Sequence, residues 1–153
     1  MMDSSPQRFR FVRCRACGLV YLDPRVPPDD LGRYYTEAYL PYRGPEAWGR
    51  WRGLVASGLR ATDGRRVARV RALGEIGRST RVLDVGCGHP TFLEALRAGS
   101  GCEAVGVDFS DEGWRGDPVR WVGLELHAGE LTDVAIAGPF DVVTMWHYLE
   151  HDY

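Results

Sequence analysis

One acidic residue and two glycines carry the most specific chemistry in this sequence. Asp84 ends an apolar run typical of a buried strand, and Gly86 and Gly88 follow it before an apolar stretch that begins at Pro90. A strand, a glycine-rich turn and a helix N-terminus together form a site of the nucleotide-binding type. The acid before the first glycine favours a cation over a pyrophosphate. The site therefore suits a zwitterion whose amine pairs with Asp84 and whose carboxylate faces backbone N–H groups.

The dinucleotide fingerprint G-x-G-x-x-G is the alternative interpretation of this turn, but Thr91 stands where its third glycine would be. The stretch instead resembles motif I of the class I S-adenosylmethionine-dependent methyltransferases, roughly D/E-x-G-x-G-x-G. The acid and the first two glycines match, and Cys87 lies inside the turn. Pro90 takes the place of the third glycine. The resemblance implies that this turn binds the methionine end of S-adenosylmethionine.

Two further segments resemble the methyltransferase motifs that contact the rest of the cofactor. Asp108 ends the next apolar strand, where an acid in a doubly wound sheet reaches ribose hydroxyls. The resemblance to motif II places Phe109 against the adenine. The resemblance to motif III implies that Glu130 accepts from the adenine amino group, while the N–H of Leu131 donates to the ring.

The segment 140–151 resembles motif IV, F-D-V-V-x-x-W-H-x-L-E-H, and completes four motifs in the family's order. The resemblance implies that Trp146 and His147 lie at the carboxyl end of a buried strand, facing the transferred methyl group. His147 and His151 are candidate general bases because histidine titrates near neutral pH. Methyl transfer depends above all on alignment, so neither histidine is assigned as essential.

Cys14 and Cys17 form a C-x-x-C-G knuckle, which is one half of a zinc ribbon. A structural zinc ion needs four ligands, and Cys87 and Cys102 are not a second knuckle. The segment also resembles the one that precedes the catalytic domain in a bacterial group of small-molecule methyltransferases, where the ribbon has another C-x-x-C upstream. One alternative is a metal ion shared across a homodimer, and the other is a hairpin with two free thiols.

Strands that alternate with helices must position these residues. The predicted fold class is α/β: a Rossmann-like, doubly wound, mostly parallel sheet with a small N-terminal β-hairpin and helical segment. Residues 1–42 are interpreted as a half zinc-ribbon-like hairpin and aromatic segment, 43–80 as a linker and Arg-rich helix, and 81–153 as the S-adenosylmethionine-binding domain. The resemblance implies a sheet of seven strands, of which this chain would hold the first four. We therefore expect a chain truncated at both ends.

Three helices are predicted around this sheet. Residues 50–76 carry apolar side chains at helical spacing, with an interruption near 62–64. The second helix runs from Pro90 to about Arg97. Two glycines and a proline within 111–122 predict a short or broken crossover helix there.

Composition narrows the class of protein. All 19 basic residues of the 153-residue chain are arginine, so lysine-dependent chemistry is excluded, and the net charge is −2. No apolar run approaches the roughly 20 residues that span a membrane, and the N-terminus does not resemble a signal peptide. We expect a cytoplasmic protein without a nucleic-acid or membrane partner.

The function predicted from these observations is methyl transfer from S-adenosylmethionine to a small molecule. The acceptor would be a sugar or natural-product intermediate, and the arginine-rich first half of the chain favours an anionic one. A nicotinamide-dependent oxidoreductase is one alternative. A non-catalytic cofactor-binding or interaction fragment is the other.

Overall fold

A computed structural model of the chain describes residues 8–27, 30 and 44–149. It has two compact units, Met1–Thr36 and Glu37–Tyr153. The first unit contains an antiparallel hairpin of β1 (Arg10–Arg13) and β2 (Val20–Asp23).

The cysteine knuckle forms the turn of this hairpin. The N–H of Cys14 donates to the carbonyl of Leu19 at 2.7 Å, and the N–H of Gly18 donates to the carbonyl of Cys14 at 3.0 Å. Gly18 has φ of +78°, a conformation that glycine adopts without steric cost. The predicted hairpin around Cys14 and Cys17 is therefore present.

The second unit contains helices and parallel strands. Its elements are a 3-10 helix (Pro45–Trp51), α1 (Arg52–Arg71), β3 (Arg81–Val85), α2 (Thr91–Ser100), β4 (Glu103–Asp108), β5 (Glu125–Ala128) and β6 (Val142–Met145). The four strands form a sheet of order β5-β4-β3-β6, and all neighbours are parallel. The predicted Rossmann-like α/β class is confirmed.

Alternate residues of β3 pack on opposite faces of the sheet. Val82 contacts the cluster that includes Leu93 and Leu96 of α2, while Leu83 and Val85 pack on the other face. Each fully buried aliphatic side chain stabilises the fold by about 1.5–3 kcal/mol. Packing on both faces therefore holds the central strand β3 in place, and with it the position of its carboxyl end.

The helix α2 begins directly after the glycine turn. Phe92, Leu93 and Leu96 form its buried face, and the helix ends at Gly101, whose φ of +74° provides a left-handed C-cap. Pro90 lies at the N-cap position, one residue earlier than the predicted first turn.

Two predicted features of the helices are wrong. First, α1 runs through residues 62–64 without interruption. A helical glycine costs only about 1 kcal/mol, and burial of Val70, with Val67 packed on the same core, outweighs that cost. The buried face is also narrower than predicted, because Leu54 and Leu59 are exposed.

Second, residues 111–123 form a series of turns with no helix. Gly113 explains this conformation in part, since it packs so closely on the glycine turn that a Cβ atom there would overlap the carbonyl of Gly88. The connection between β4 and β5 is therefore shaped by contact with the candidate site.

The strand β6 lies at an edge of the sheet within the described part of the chain. Val143 and Met145 are exposed on it, so this strand, which the sequence predicted to be buried, is only partly buried within the described residues. None of the helices described is long and apolar enough to cross a membrane.

Candidate functional site

The glycine turn is hydrogen-bonded to the end of the neighbouring strand, β4. Gly86 and Gly88 have φ of +74° and +52°, which only glycine adopts readily. The N–H groups of Gly86 and Cys87 donate to the carbonyl of Val107 at 2.8 and 3.1 Å. The turn therefore lies where β3 and β4 end together, directly before α2.

Asp108, at the end of β4, also holds this turn. Its Oδ2 accepts the N–H of Gly88 at 2.9 Å, and its Oδ1 accepts the N–H of Ser110 at 3.3 Å. The residue is buried. The structure thus brings Asp108 to the glycine turn, and its predicted contact with ribose hydroxyls stays a prediction.

Asp84 is almost completely buried, with 3% of its surface exposed. The Thr144 hydroxyl on β6 donates to Asp84 Oδ1 at 2.6 Å. Burial raises the pKa of this carboxyl to about 7, while the Thr144 hydrogen bond and the charge of Arg66 oppose the rise. The charges of Asp108 and Asp63 add to it. Asp84 therefore changes protonation near neutral pH.

Arg66 and Trp146 stack beside these carboxylates. The guanidinium carbon of Arg66 lies 5.2 Å from the centroid of the Trp146 ring, a cation–π distance. Trp146 also packs edge-on against Phe92 of α2, at 5.5 Å between ring centroids. Its indole N–H is buried and has no hydrogen-bond partner within residues 8–27, 30 and 44–149.

Asp63 connects α1 to the start of α2. Its carboxylate lies 3.7 Å from the Arg66 guanidinium and is hydrogen-bonded to the side chain of Thr91. Burial raises the pKa of Asp63, whereas Thr91 and Arg66 lower it. This buried acid therefore fixes Arg66 relative to the N-terminus of α2.

Three residues near the site were missed by reasoning from the sequence: Asp63, Arg66 and Thr144. Two of them had a detectable signal. Asp63 is the single acid of α1, and Thr144 is the polar member of the otherwise apolar strand β6. Arg66 carried no signal, because it resembles the other arginines of α1.

The predicted adenine-contacting residues lie at the ends of β4 and β5. Phe109 directly follows β4 and is 41% exposed, and Leu131 is 37% exposed. Glu130 is exposed, and the N–H of the preceding Gly129 donates to the carbonyl of Asp108 at 2.9 Å. These residues thus lie at the same edge of the sheet as the glycine turn.

The candidate bases are only partly described. His147 is exposed and has φ of +58°, a conformation that is uncommon outside glycine. His151 lies outside the described residues. The catalytic role of either histidine stays a prediction.

The cysteines differ in exposure. Cys87 is buried inside the turn, and burial raises the pKa of its thiol well above the usual value, so it is a poor nucleophile. Cys17 is exposed, while the pKa of the half-buried Cys14 is lowered by N–H groups of Cys17 and Ala16. No group of three or more metal-ligating side chains occurs in the described part of the chain. Metal binding by the pair is an untested prediction.

The charges at this edge of the sheet are complementary to a ligand that carries both signs. Buried carboxylates at the ends of two adjacent parallel strands attract cationic groups, and the N-terminus of α2 attracts an anionic group. Arg66 adds a positive charge beside that N-terminus. In α/β sheets, ligands bind in crevices outside the carboxyl ends of the strands.

Comparison with known proteins gives this fold and site a family. Residues 60–151, more than half of the chain, match a family described as a methyltransferase domain. The chain therefore belongs to the methyltransferase domain family, and its sheet is that of a class I methyltransferase.

A stretch of 77 residues is 38% identical to the ubiquinone biosynthesis O-methyltransferase of Thiobacillus denitrificans (strain ATCC 25259 / T1). The match covers 46% of this chain and 33% of that relative. The chain thus spans about a third of the length of the relative that it matches.

Proposed function

We propose that this chain binds S-adenosylmethionine and transfers its methyl group to a small molecule. The observation that carries the proposal is the pair of buried carboxylates, Asp84 and Asp108, on either side of a glycine turn that leads into α2. Membership of the methyltransferase domain family supports it. The alternative, a nicotinamide-dependent oxidoreductase, has no support. The acid before the turn disfavours a pyrophosphate, and the matched family is one of methyltransferase domains.

The residues present fit this cofactor. It carries an ammonium group, a carboxylate and a sulfonium, and when bound it supplies an activated methyl group. Asp84 would receive the ammonium group, while Arg66 and the N-terminal N–H groups of α2 would receive the carboxylate. The buried indole N–H of Trp146 has no described acceptor, and leaving a buried donor unsatisfied costs about 1–3 kcal/mol. A bound acceptor would relieve that cost.

The nucleoside end would lie toward β4 and β5. Asp108 would contact the ribose hydroxyls and Phe109 the adenine face, while Glu130 and the N–H of Leu131 would read the adenine edge. Phe109 and Leu131 are exposed at this edge of the sheet, and a planar base would cover them.

Oxygen is the acceptor atom that we propose, because the name of the relative specifies O-methylation. His147, one residue beyond Trp146, would take the hydroxyl proton as the oxygen accepts the methyl group. Removal of a general base costs roughly 10²- to 10⁴-fold in rate. We therefore expect His147→Gln to lower turnover with a small hydroxylated acceptor by at least that lower bound.

Calorimetric titration of the purified chain with S-adenosylmethionine, with NAD as the control, tests the proposed function. We expect a micromolar dissociation constant, about −8 kcal/mol, for S-adenosylmethionine alone. Binding of NAD instead would contradict the proposal. Binding of neither ligand by a folded chain would favour the non-catalytic fragment.

A further inference from the structure

The hydroxyl of Thr144 faces the most deeply buried acid of the site. Thr144 and Asp84 are directly opposite each other on the neighbouring strands β6 and β3. Both are buried, with 8% and 3% of their surfaces exposed. Side chains at paired positions of adjacent strands point to the same face, so this contact follows from the sheet itself.

The Thr144 hydroxyl has two acceptors within reach. Its Oγ1 lies 2.6 Å from Asp84 Oδ1 and 3.4 Å from the carbonyl oxygen of Leu83. A hydroxyl has one proton to donate and two lone pairs that accept. When Asp84 is ionised, Thr144 donates to the carboxylate. When Asp84 is protonated, the carboxyl can donate to Thr144, whose own proton turns to Leu83.

We propose that Thr144 is a positioning residue, whose hydroxyl holds the ionised carboxylate of Asp84 in the orientation that receives the ammonium group of the cofactor. The inference rests on the proposed function. Without the hydroxyl, the buried carboxylate would lose its short hydrogen bond and could rotate about its own side-chain bonds. Thr144 acts through Asp84 and has no assigned contact with the cofactor.

The charged surroundings of Asp84 define what else affects its protonation. From α1, Arg66 favours the ionised form and Asp63 disfavours it; from the end of β4, Asp108 disfavours it as well. The thiol of Cys87 lies within electrostatic range but stays protonated. Thr144 is thus the neutral group of this set that stabilises the ionised carboxylate.

The decisive comparison is between Thr144→Val, which removes the hydroxyl at nearly constant shape, and Thr144→Ser, which retains it. Titration with S-adenosylmethionine at pH 8 should show binding about 10- to 100-fold weaker in Thr144→Val, the usual range for a hydrogen bond to a charged group. Thr144→Ser should stay within about threefold of the unmodified chain. The pH at which binding is half-maximal should rise in Thr144→Val alone.

Thr80→Val is the matched control. Thr80 is also buried, at the other end of β3, and its hydroxyl accepts the N–H of Gly77 at 3.0 Å. Thr80→Val should lower stability without changing cofactor affinity or its pH dependence. If Thr144→Val fails to fold, Thr144→Ser and Thr144→Ala provide a second pair that differs by the hydroxyl alone.

The outcomes separate the inference from the proposed function. If the unmodified chain binds S-adenosylmethionine and both Thr144→Val and Thr144→Ala bind equally well with the same pH midpoint, the positioning role is wrong and the proposed function stands. If the unmodified folded chain does not bind S-adenosylmethionine, the proposed function fails and the positioning role falls with it. Weaker binding of S-adenosylmethionine only in the variants that lack the hydroxyl supports both the proposed function and the positioning role.

Discussion

Arg66 lies over the ring of Trp146, with its guanidinium carbon 5.2 Å from the ring centroid. The contact joins α1 to the residue that follows β6, and Asp63 holds the same guanidinium from within α1. Arg66 also lowers the pKa of Asp84. The helix before the sheet therefore contributes the positive charge of a site whose negative charges come from strand ends.

Replacing Arg66 with methionine should weaken cofactor binding. Arg66→Met keeps an unbranched side chain against Trp146 but removes the charge that would pair with the carboxylate of S-adenosylmethionine. Loss of a charge-assisted hydrogen bond of about 1.5–3 kcal/mol corresponds to roughly 10- to 100-fold in dissociation constant. Titration calorimetry measures this change.

Arg69→Met is the matched control for that variant, because Arg69 is exposed on the same helix. It should leave the dissociation constant within about twofold, as an exposed charge contributes about 0–1 kcal/mol at most. If the two variants bind S-adenosylmethionine with equal affinity, Arg66 does not contact the cofactor.

The glycine turn predicts opposite effects for two glycine-to-alanine changes. Gly86 has φ of +74°, and a Cβ atom there would lie 2.7 Å from Cδ2 of Tyr148. Gly86→Ala should lower the free energy of unfolding by at least the roughly 1–2 kcal/mol that a left-handed conformation costs. Gly64, inside α1, has nothing within 4 Å, so Gly64→Ala should raise the free energy of unfolding by about 0.4–1 kcal/mol. Urea denaturation of both variants measures the difference, and equal effects would contradict the structure of the turn.

The sheet was predictable from the sequence because its strands are short apolar runs that end in turn residues. The central strands β3 and β4 are buried on both faces, so their sequences are nearly continuous apolar segments. The place of Asp84 followed from the motif I resemblance, which marks where the first strand of the sheet ends.

The contacts between distant segments could not be predicted. The approach of Gly113 to Gly88, and of Arg66 to Trp146, depends on how whole segments pack, and sequence spacing does not encode that. Gly113 pointed correctly away from a crossover helix, but its low helix propensity did not reveal its close contact with Gly88. The interruption predicted in α1 is wrong because tertiary burial outweighed the low helix propensity of Gly64.

The raised pKa of Asp84 predicts that stability falls as the pH rises. The folded chain holds this proton up to about pH 7, whereas the unfolded carboxyl releases it near 3.8. Between these values the native state binds more protons than the unfolded state, so the free energy of unfolding decreases with pH. The stabilising contribution is complete below the lower value and is lost as the pH rises through about 7.

Asp84→Asn isolates this contribution, since asparagine has no proton to lose and can still accept from Thr144. The difference in unfolding free energy between the unmodified chain and Asp84→Asn should change steadily between about pH 4 and 7 and level off above. Taking the difference cancels the opposite effect of His89, whose pKa is lowered by burial. A difference that is constant with pH would show that the Asp84 carboxyl has the same pKa in the folded and the unfolded chain.

The close contact between Gly113 and Gly88 predicts that the turns after β4 support cofactor binding. A Cβ atom at Gly113 would overlap the Gly88 carbonyl and press on the N–H of His89, so Gly113→Ala must displace the glycine turn or the segment that covers it. Displacing the turn would lengthen the bond from the Gly88 N–H to Asp108 and misplace the start of α2. We expect S-adenosylmethionine to bind at least about tenfold more weakly, the effect of about 1.4 kcal/mol.

Gly116→Ala is the control for this effect, because Gly116 belongs to the same run of turns and has nothing within 4 Å. Calorimetric titration of both variants, after circular dichroism has shown that each is folded, separates crowding at the glycine turn from a general effect of alanine in this segment. If Gly113→Ala binds S-adenosylmethionine with unchanged affinity, the glycine turn accommodates the added methyl group without weakening cofactor binding. In that case the segment 111–123 covers the site without shaping it, and the position of Asp108 alone would have to account for the geometry of the turn.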